Sequence, residues 1–107
     1  MMRHRMRKIE VVVRAEDHDL VESALRAAAV PGWTMIRDVA GMGHGGFHQG
    51  RTIFSDQSGL VMFVGVAEEF AVERAADALA TMFRERAGVL FLSDVEVIRS
   101  TYFQSAA

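Results

Sequence analysis

The chain has 107 residues, half of them hydrophobic, with one proline and no cysteine. That length supports one domain with a real core rather than two, and the composition is globular rather than disordered. The missing thiols exclude a disulfide scaffold, a thiolate metal centre and a cysteine nucleophile, and a formal charge of −2 argues against a nucleic-acid binder.

Residues 1–8 carry Arg3, Arg5, Arg7 and Lys8, so the remainder of the chain has a net charge of −6. Residues 1–7 read as a basic, solvated N-terminal arm. The arm lacks the long apolar segment and small-residue cleavage site of a signal peptide, and no apolar run approaches a membrane span. A cytoplasmic location without direct membrane insertion is therefore expected. Lys8–Arg14, with valines at 11–13, predicts the first strand. Asp19 with Glu22 three residues on has the form of a capping box. Leu20, Val21, Ala24, Leu25 and Ala28 then recur at helical spacing, and Val30-Pro31-Gly32 is expected to stop that helix. Trp33–Val39 predicts a second strand. Residues 40–58 are a polar, glycine-rich connection. Leu60–Val66 is a continuous apolar strand, of the kind covered on both faces or placed at a subunit contact. Glu68 and Glu69 suit the positive end of a second helix, whose buried stripe is Val72, Ala75, Ala76, Leu79, Met82 and Phe83. Arg84, Glu85 and Arg86 are expected to close it, with Gly88 as its cap. Val89–Leu92 and Val95–Arg99 predict the last strand, with Ser93-Asp94 as a bulge, and residues 102–107 form a tail.

The order βαββαβ, in two βαβ halves of similar length, predicts an α+β, ferredoxin-like sandwich: a four-stranded antiparallel sheet with two helices on one face. A hairpin between strands two and three needs only about 2–5 residues. Residues 40–58 far exceed that, so this loop reads as a functional projection rather than a connector.

Within it, Gly41, Gly43, Gly45 and Gly46 fall in six residues. Such glycines turn the backbone sharply or let it approach a ligand, and their N–H groups can converge on a phosphate. No Lys-Ser/Thr follows and the spacing is not that of a dinucleotide fingerprint. On the residues alone, ligand contact and a plain hairpin connection both stay open. His44 and His48 stand four apart with Asp56 nearby, which leaves open a metal site, a hydrogen bond to a ligand, or solvent exposure. Arg84 and Arg86 suit a helix C-terminus, yet arginine also suits bidentate phosphate contact, and Arg99 ends the last strand. Thr34 is a strand residue or a hydroxyl that reads a polar ring edge, and Trp33 is a core or interface aromatic. No serine–histidine–acid grouping and no paired loop carboxylates stand out. No catalytic residue is assigned and no enzymatic activity is expected.

Nearly the whole chain, from Arg7 to Thr101, resembles a PII-type signalling protein. Arg7–Arg14 is similar to that family's opening strand and Asp19–Leu25 to its first helix. Pro31-Gly32-Trp33-Thr34-Met35 resembles its Gly-x-Thr-Val segment. Gly41-Met42-Gly43 resembles the Gly-Phe-Gly at the base of its T-loop, and Val66-Ala67-Glu68-Glu69 resembles its Val-Pro-Asp-Asp helix start. Asp94-Val95 and Val97-Ile98-Arg99 resemble its last strand.

The resemblance implies a single PII-like domain over 1–107, with residues 40–58 as a T-loop-like projection. It implies a homotrimer that binds adenine nucleotides, ADP or AMP and as a further candidate ATP, in clefts between subunits. Thr34 would then lie near the adenine. Gly41, Met42, Gly43, His44, Gly45 and Gly46 would pass beside the phosphates, with Arg86, Gly88 and Arg99 approaching them. Val89 stands where the family has a lysine after the glycine, and the shortened loop has no tyrosine. These departures resemble the short-loop, PII-like branch associated with carboxysomes and bicarbonate transport. Bicarbonate is then a further expected ligand, and a transporter or carboxysome-related protein an expected partner. The resemblance implies no cofactor and no metal. Two other readings stay open: a metal-responsive protein of PII-like or divalent-cation-tolerance type using His44 and His48, and a small ferredoxin-like enzyme.

Overall fold

Strand β1 (His4–Arg14) runs through the middle of a four-stranded antiparallel sheet in a computed structural model that describes residues 1–43, 46–48 and 59–104. The other strands are β2 (Trp33–Val39), β5 (Leu60–Ala67) and β6 (Gly88–Val97), in the spatial order β2-β5-β1-β6. A separate ribbon pairs β3 (Gly41–Gly43) with β4 (Gly46–His48). Helix α1 (His18–Ala27) joins β1 to β2, and α2 (Glu69–Met82) joins β5 to β6. This is the expected α+β, ferredoxin-like arrangement.

The strands alternate as a half-covered sheet should. Ile9, Val11 and Val13 of β1 and Val61 and Phe63 of β5 are buried, and they form one cluster with Val21 and Leu25 of α1 and Val72, Ala75 and Leu79 of α2. Burying each of these valine, leucine, isoleucine and phenylalanine side chains stabilises the fold by about 1.5–3 kcal/mol. Among the described residues, no helix lies over the other face of the sheet. There β5 presents Leu60, Met62, Val64 and Val66, all half-buried, while Ile36, Val89 and Phe91 are 45 %, 50 % and 57 % exposed. Of the two settings expected for the apolar third sheet strand, the described residues of one chain cover only one face.

Several boundaries differ from the sequence reading. The first strand begins at His4, so Arg5 and Arg7 lie inside the sheet rather than in a solvated arm. Arg7 is held there because its Nη1 donates to Asp94 Oδ1 at 2.9 Å, with Glu73 of α2 at 3.5 Å from Nη2. The hydrogen bond to Asp94 is the main reason its pKa is raised further above the usual arginine value. Ser93-Asp94 is no bulge: β6 pairs with β1 in unbroken register from His4↔Val97 to Val13↔Gly88. The register shift falls in β2 instead, between Ile36 and Val39, where Asp38 has φ 59°. The α1 N-cap position is Asp17, which makes no side-chain cap hydrogen bond, so the Asp19 capping box does not form. Gly88 does not cap α2. The helix ends at Met82 with Phe83 as its C-cap, and Gly88 opens β6.

Helix α1 stops before Pro31. Val30 N–H donates to Leu25 O at 3.1 Å and Ala29 N–H to Arg26 O at 3.0 Å, with Ala29 at φ 64°. That is a Schellman closure with alanine at the left-handed position glycine usually takes.

Candidate functional site

Register alone gathers one set of candidate residues. Arg14 pairs with Leu60, Val13 pairs with Gly88, and Val39 also pairs with Leu60. The end of β2, the start of β3, the turn after α2 and the start of β6 therefore meet at one end of the sheet. Between them lies a cavity of about 610 Å³, within the size range of small-molecule sites, lined by Gly41, Met42, Phe83, Arg86 and Gly88 among others.

Two glycines at this cavity differ in what they do. A Cβ on Gly88 would lie 2.3 Å from Phe83 Cε1, so Gly88 is needed to admit that ring. A Cβ on Gly41 would meet only Leu60 Cδ1, at 3.8 Å, an ordinary contact. Packing thus leaves a bare backbone at Gly41 facing the cavity. In the described part of the glycine run, Gly41 pairs with His48 and Gly43 with Gly46 across the ribbon. Gly43 lies in β3, and Gly46 and His48 lie in β4. His44 and Gly45 lie outside the described residues, as does the remainder of the expected projection from 49 to 58.

Arg86 enters the cavity wall from the turn after α2, which forms as Arg84 N–H donates to Thr81 O and Arg86 N–H to Met82 O. Its Nη1 donates to Asp17 Oδ1 at 2.7 Å. The Asp17 side chain is 5 % exposed and that of Arg86 is 51 % exposed. At the start of the turn that carries this buried acid, Ala15 N–H donates to Gly59 O at 2.9 Å, tying the turn to the entry of β5. Asp17 has no signal in the sequence that links it to Arg86, which lies 69 positions on.

Thr34 and Arg99 lie elsewhere. Thr34 pairs with Val64 toward the opposite end of β2 and is exposed. Seven positions separate it from Gly41, on the order of 20 Å along an extended strand. Thr34 lines a second cavity of about 510 Å³ with Gly32, Trp33, Val64, Tyr102 and Phe103. Strand β6 ends at Val97, so Arg99 is past it, before a 3-10 turn at Ser100–Phe103. The Arg99 guanidinium stacks 4.7 Å from the centre of the Tyr102 ring. The tail read from residue 102 thus begins as structure, with Tyr102 and Phe103 edge to face at 5.6 Å. Tyr102 and Phe103 line this second cavity, and periodicity could not flag them because they follow the last patterned strand.

The structure therefore brings Gly41, Met42, Arg86 and Gly88 together at one end of the sheet. It places Thr34 at the other, with Arg99 beside the aromatic turn there. For a metal, the described residues bring His18, Asp19 and Glu22 to within 4.8 Å of one another. That group sits at the start of α1, where the helix dipole disfavours a cation. Among the described residues, no helix is long and apolar enough to cross a membrane.

The family model of nitrogen regulatory protein P-II matches residues 6–102. No curated protein matches the chain in sequence. Among solved structures, the chain is similar to CPII, a PII-like protein from Thiomonas intermedia K12 bound to ADP, AMP and bicarbonate. The identity is 23 %, over 97 % of this chain and 98 % of that one, with a TM-score of 0.91. CPII bound to ADP and bicarbonate aligns at 22 % identity over 95 % and 97 %, TM-score 0.85. A PII-like signalling protein from Thermus thermophilus aligns at 18 % identity over 96 % and 99 %, TM-score 0.76.

Proposed function

The chain belongs to the nitrogen regulatory protein P-II family, and from that premise we propose that it is a non-catalytic regulator whose homotrimer binds adenine nucleotides in clefts between subunits. The observation that carries this reading is the division of the candidate residues between two ends of one sheet. Gly41, Met42, Arg86 and Gly88 form one half-site, with bare glycine backbone and a guanidinium. Thr34, Trp33 and Tyr102, with Arg99 against Tyr102, form another with aromatic and hydroxyl groups. One chain cannot close these halves on a single nucleotide. A second copy, packed through the uncovered apolar face, can set one copy's phosphate half against its neighbour's base half.

ADP and AMP are the preferred ligands in this reading. Val89 supplies no cation beside Gly88, and Arg86 is already partly neutralised by Asp17. The CPII structures bound to ADP, AMP and bicarbonate support the same ligand class. Bicarbonate is proposed as a second ligand coupled to the nucleotide, and any such coupling is reciprocal. Residues 40–58 are the proposed surface read by a transporter or carboxysome-related partner. A ligand can alter that surface only by binding its states unequally.

The test is calorimetry with ADP, AMP and ATP, each with and without bicarbonate, on protein whose mass is fixed by light scattering. Saturable adenylate binding to a trimer is expected, at one cleft per chain. Absence of binding by all three nucleotides overturns the reading. Equal ADP affinity with and without bicarbonate removes the carbon-sensing part and leaves the nucleotide part standing.

A further inference from the structure

We infer that Asp17 is the positioning residue for Arg86, holding one edge of its guanidinium so that the other edge faces the nucleotide phosphates. The inference rests on the adenine-nucleotide reading above and adds to it a residue from a different part of the chain. The Arg86 Nη1–Asp17 Oδ1 bond is 2.7 Å long, in the range of a strong charge-assisted bond. The Asp17 side chain is almost wholly buried and the Arg86 side chain is half exposed at the cavity wall.

That asymmetry decides between two ways the pair could act. If Arg86 swung away to a phosphate, Asp17 would be left as an uncompensated charge in a buried place, which is strongly unfavourable. Arg86 therefore stays on Asp17. The guanidinium is a planar fork with five N–H donors, and one carboxylate oxygen engages only part of it. Arg86 lines the cavity together with Gly41 and Gly88, and the inference assigns the remaining donors to that side. An arginine so anchored is already ordered before the ligand arrives, and the ordering cost of binding falls accordingly. Lysine, a point charge on a flexible stem, could not serve a carboxylate and a phosphate from two edges in this way.

The experiment measures ADP affinity by calorimetry for the unaltered protein, Asp17→Ser, Asp17→Asn, Arg86→Gln, Arg86→Lys and the Asp17→Ser/Arg86→Gln double variant, with circular dichroism confirming the fold of each. Serine is too short to reach Arg86, and loss of the anchor should weaken ADP binding by about fivefold, the scale of ordering one long side chain. Asparagine keeps an acceptor in the same place and should recover most of the affinity. In the Arg86→Gln background, Asp17→Ser should cost nothing further, because Asp17 acts only through Arg86. Undiminished ADP affinity in folded Asp17→Ser, or a double variant weaker than Arg86→Gln by the full Asp17→Ser factor, overturns the inference. Should Asp17→Ser fail to fold, Arg86→Lys decides: weakened binding supports the two-edged role and unchanged binding refutes it. No adenylate binding by the unaltered protein sinks both this inference and the functional reading, whereas normal binding with an indifferent Asp17 sinks this one alone.

Discussion

At the scale of single residues, the site is governed by what lies next to each glycine and each charge. Gly88 and Gly41 look alike in the sequence, each beside an apolar residue near an expected strand end. The structure separates them: Phe83 occupies the space where a Gly88 side chain would go, and Gly41 faces open cavity. Gly88→Ala is expected to push the Phe83 ring off its place and cost about 1–3 kcal/mol of stability, as overpacking does. The midpoint of urea unfolding checks this, and an unchanged midpoint would mean the ring relocates without penalty. Residue type left Arg84 and Arg86 equally open as helix-end or phosphate residues, and the family resemblance singled out Arg86. Its carboxylate partner was not legible, because side-chain pairing over 69 positions leaves no periodic trace.

At the scale of elements, most of what the structure contains was readable, because strand and helix periods are local properties of the chain. Both helices and all four sheet strands fall where the apolar spacing puts them. Several of the failures fall at ends, and others inside β2, β6 and the connection that holds the β3–β4 ribbon. β1 reaches back to His4 because β6 is long enough to pair with it and Asp94 and Glu73 hold Arg7. Propensity could not anticipate a strand made from a basic arm, since its partner comes from the far end of the chain. The end of α1 is a similar case. Proline and glycine at 31 and 32 pointed to a stop, but Ala29 makes the turn, two residues earlier, at φ 64°. An alanine held in that region carries a steric penalty that glycine avoids. Ala29→Gly should therefore stabilise the protein by roughly 0.5–1 kcal/mol after the larger entropy loss of glycine is subtracted. A rise in thermal midpoint is the expected readout, and a fall would show that the Schellman closure is not strained at Ala29.

At the scale of the whole molecule, the uncovered sheet face is the feature that one chain leaves unresolved. Met62, Val64 and Val66 lie half-buried beside the exposed Phe91 and Val89, on the side away from both helices. In the proposed trimer that face is interior, and each nucleotide cleft needs two copies. Met62→Asp should then yield a monomer by light scattering with far-UV circular dichroism retained, and ADP binding should vanish although every half-site residue is intact. A monomer that still binds ADP with undiminished affinity would refute the shared cleft.

The sequence by itself determined the fold class, the order of the two helices and the four strands of the main sheet, most of the core and the residue types suited to a phosphate, because hydrophobic period and side-chain chemistry are written locally. Only the tertiary structure decided that Thr34 stands apart from Gly41, that Arg99 leans on Tyr102, and that Arg86 is anchored by a buried acid from the first turn after β1. Those facts depend on strand register and on contacts between distant segments, and both are set by how the whole sheet and its helices pack.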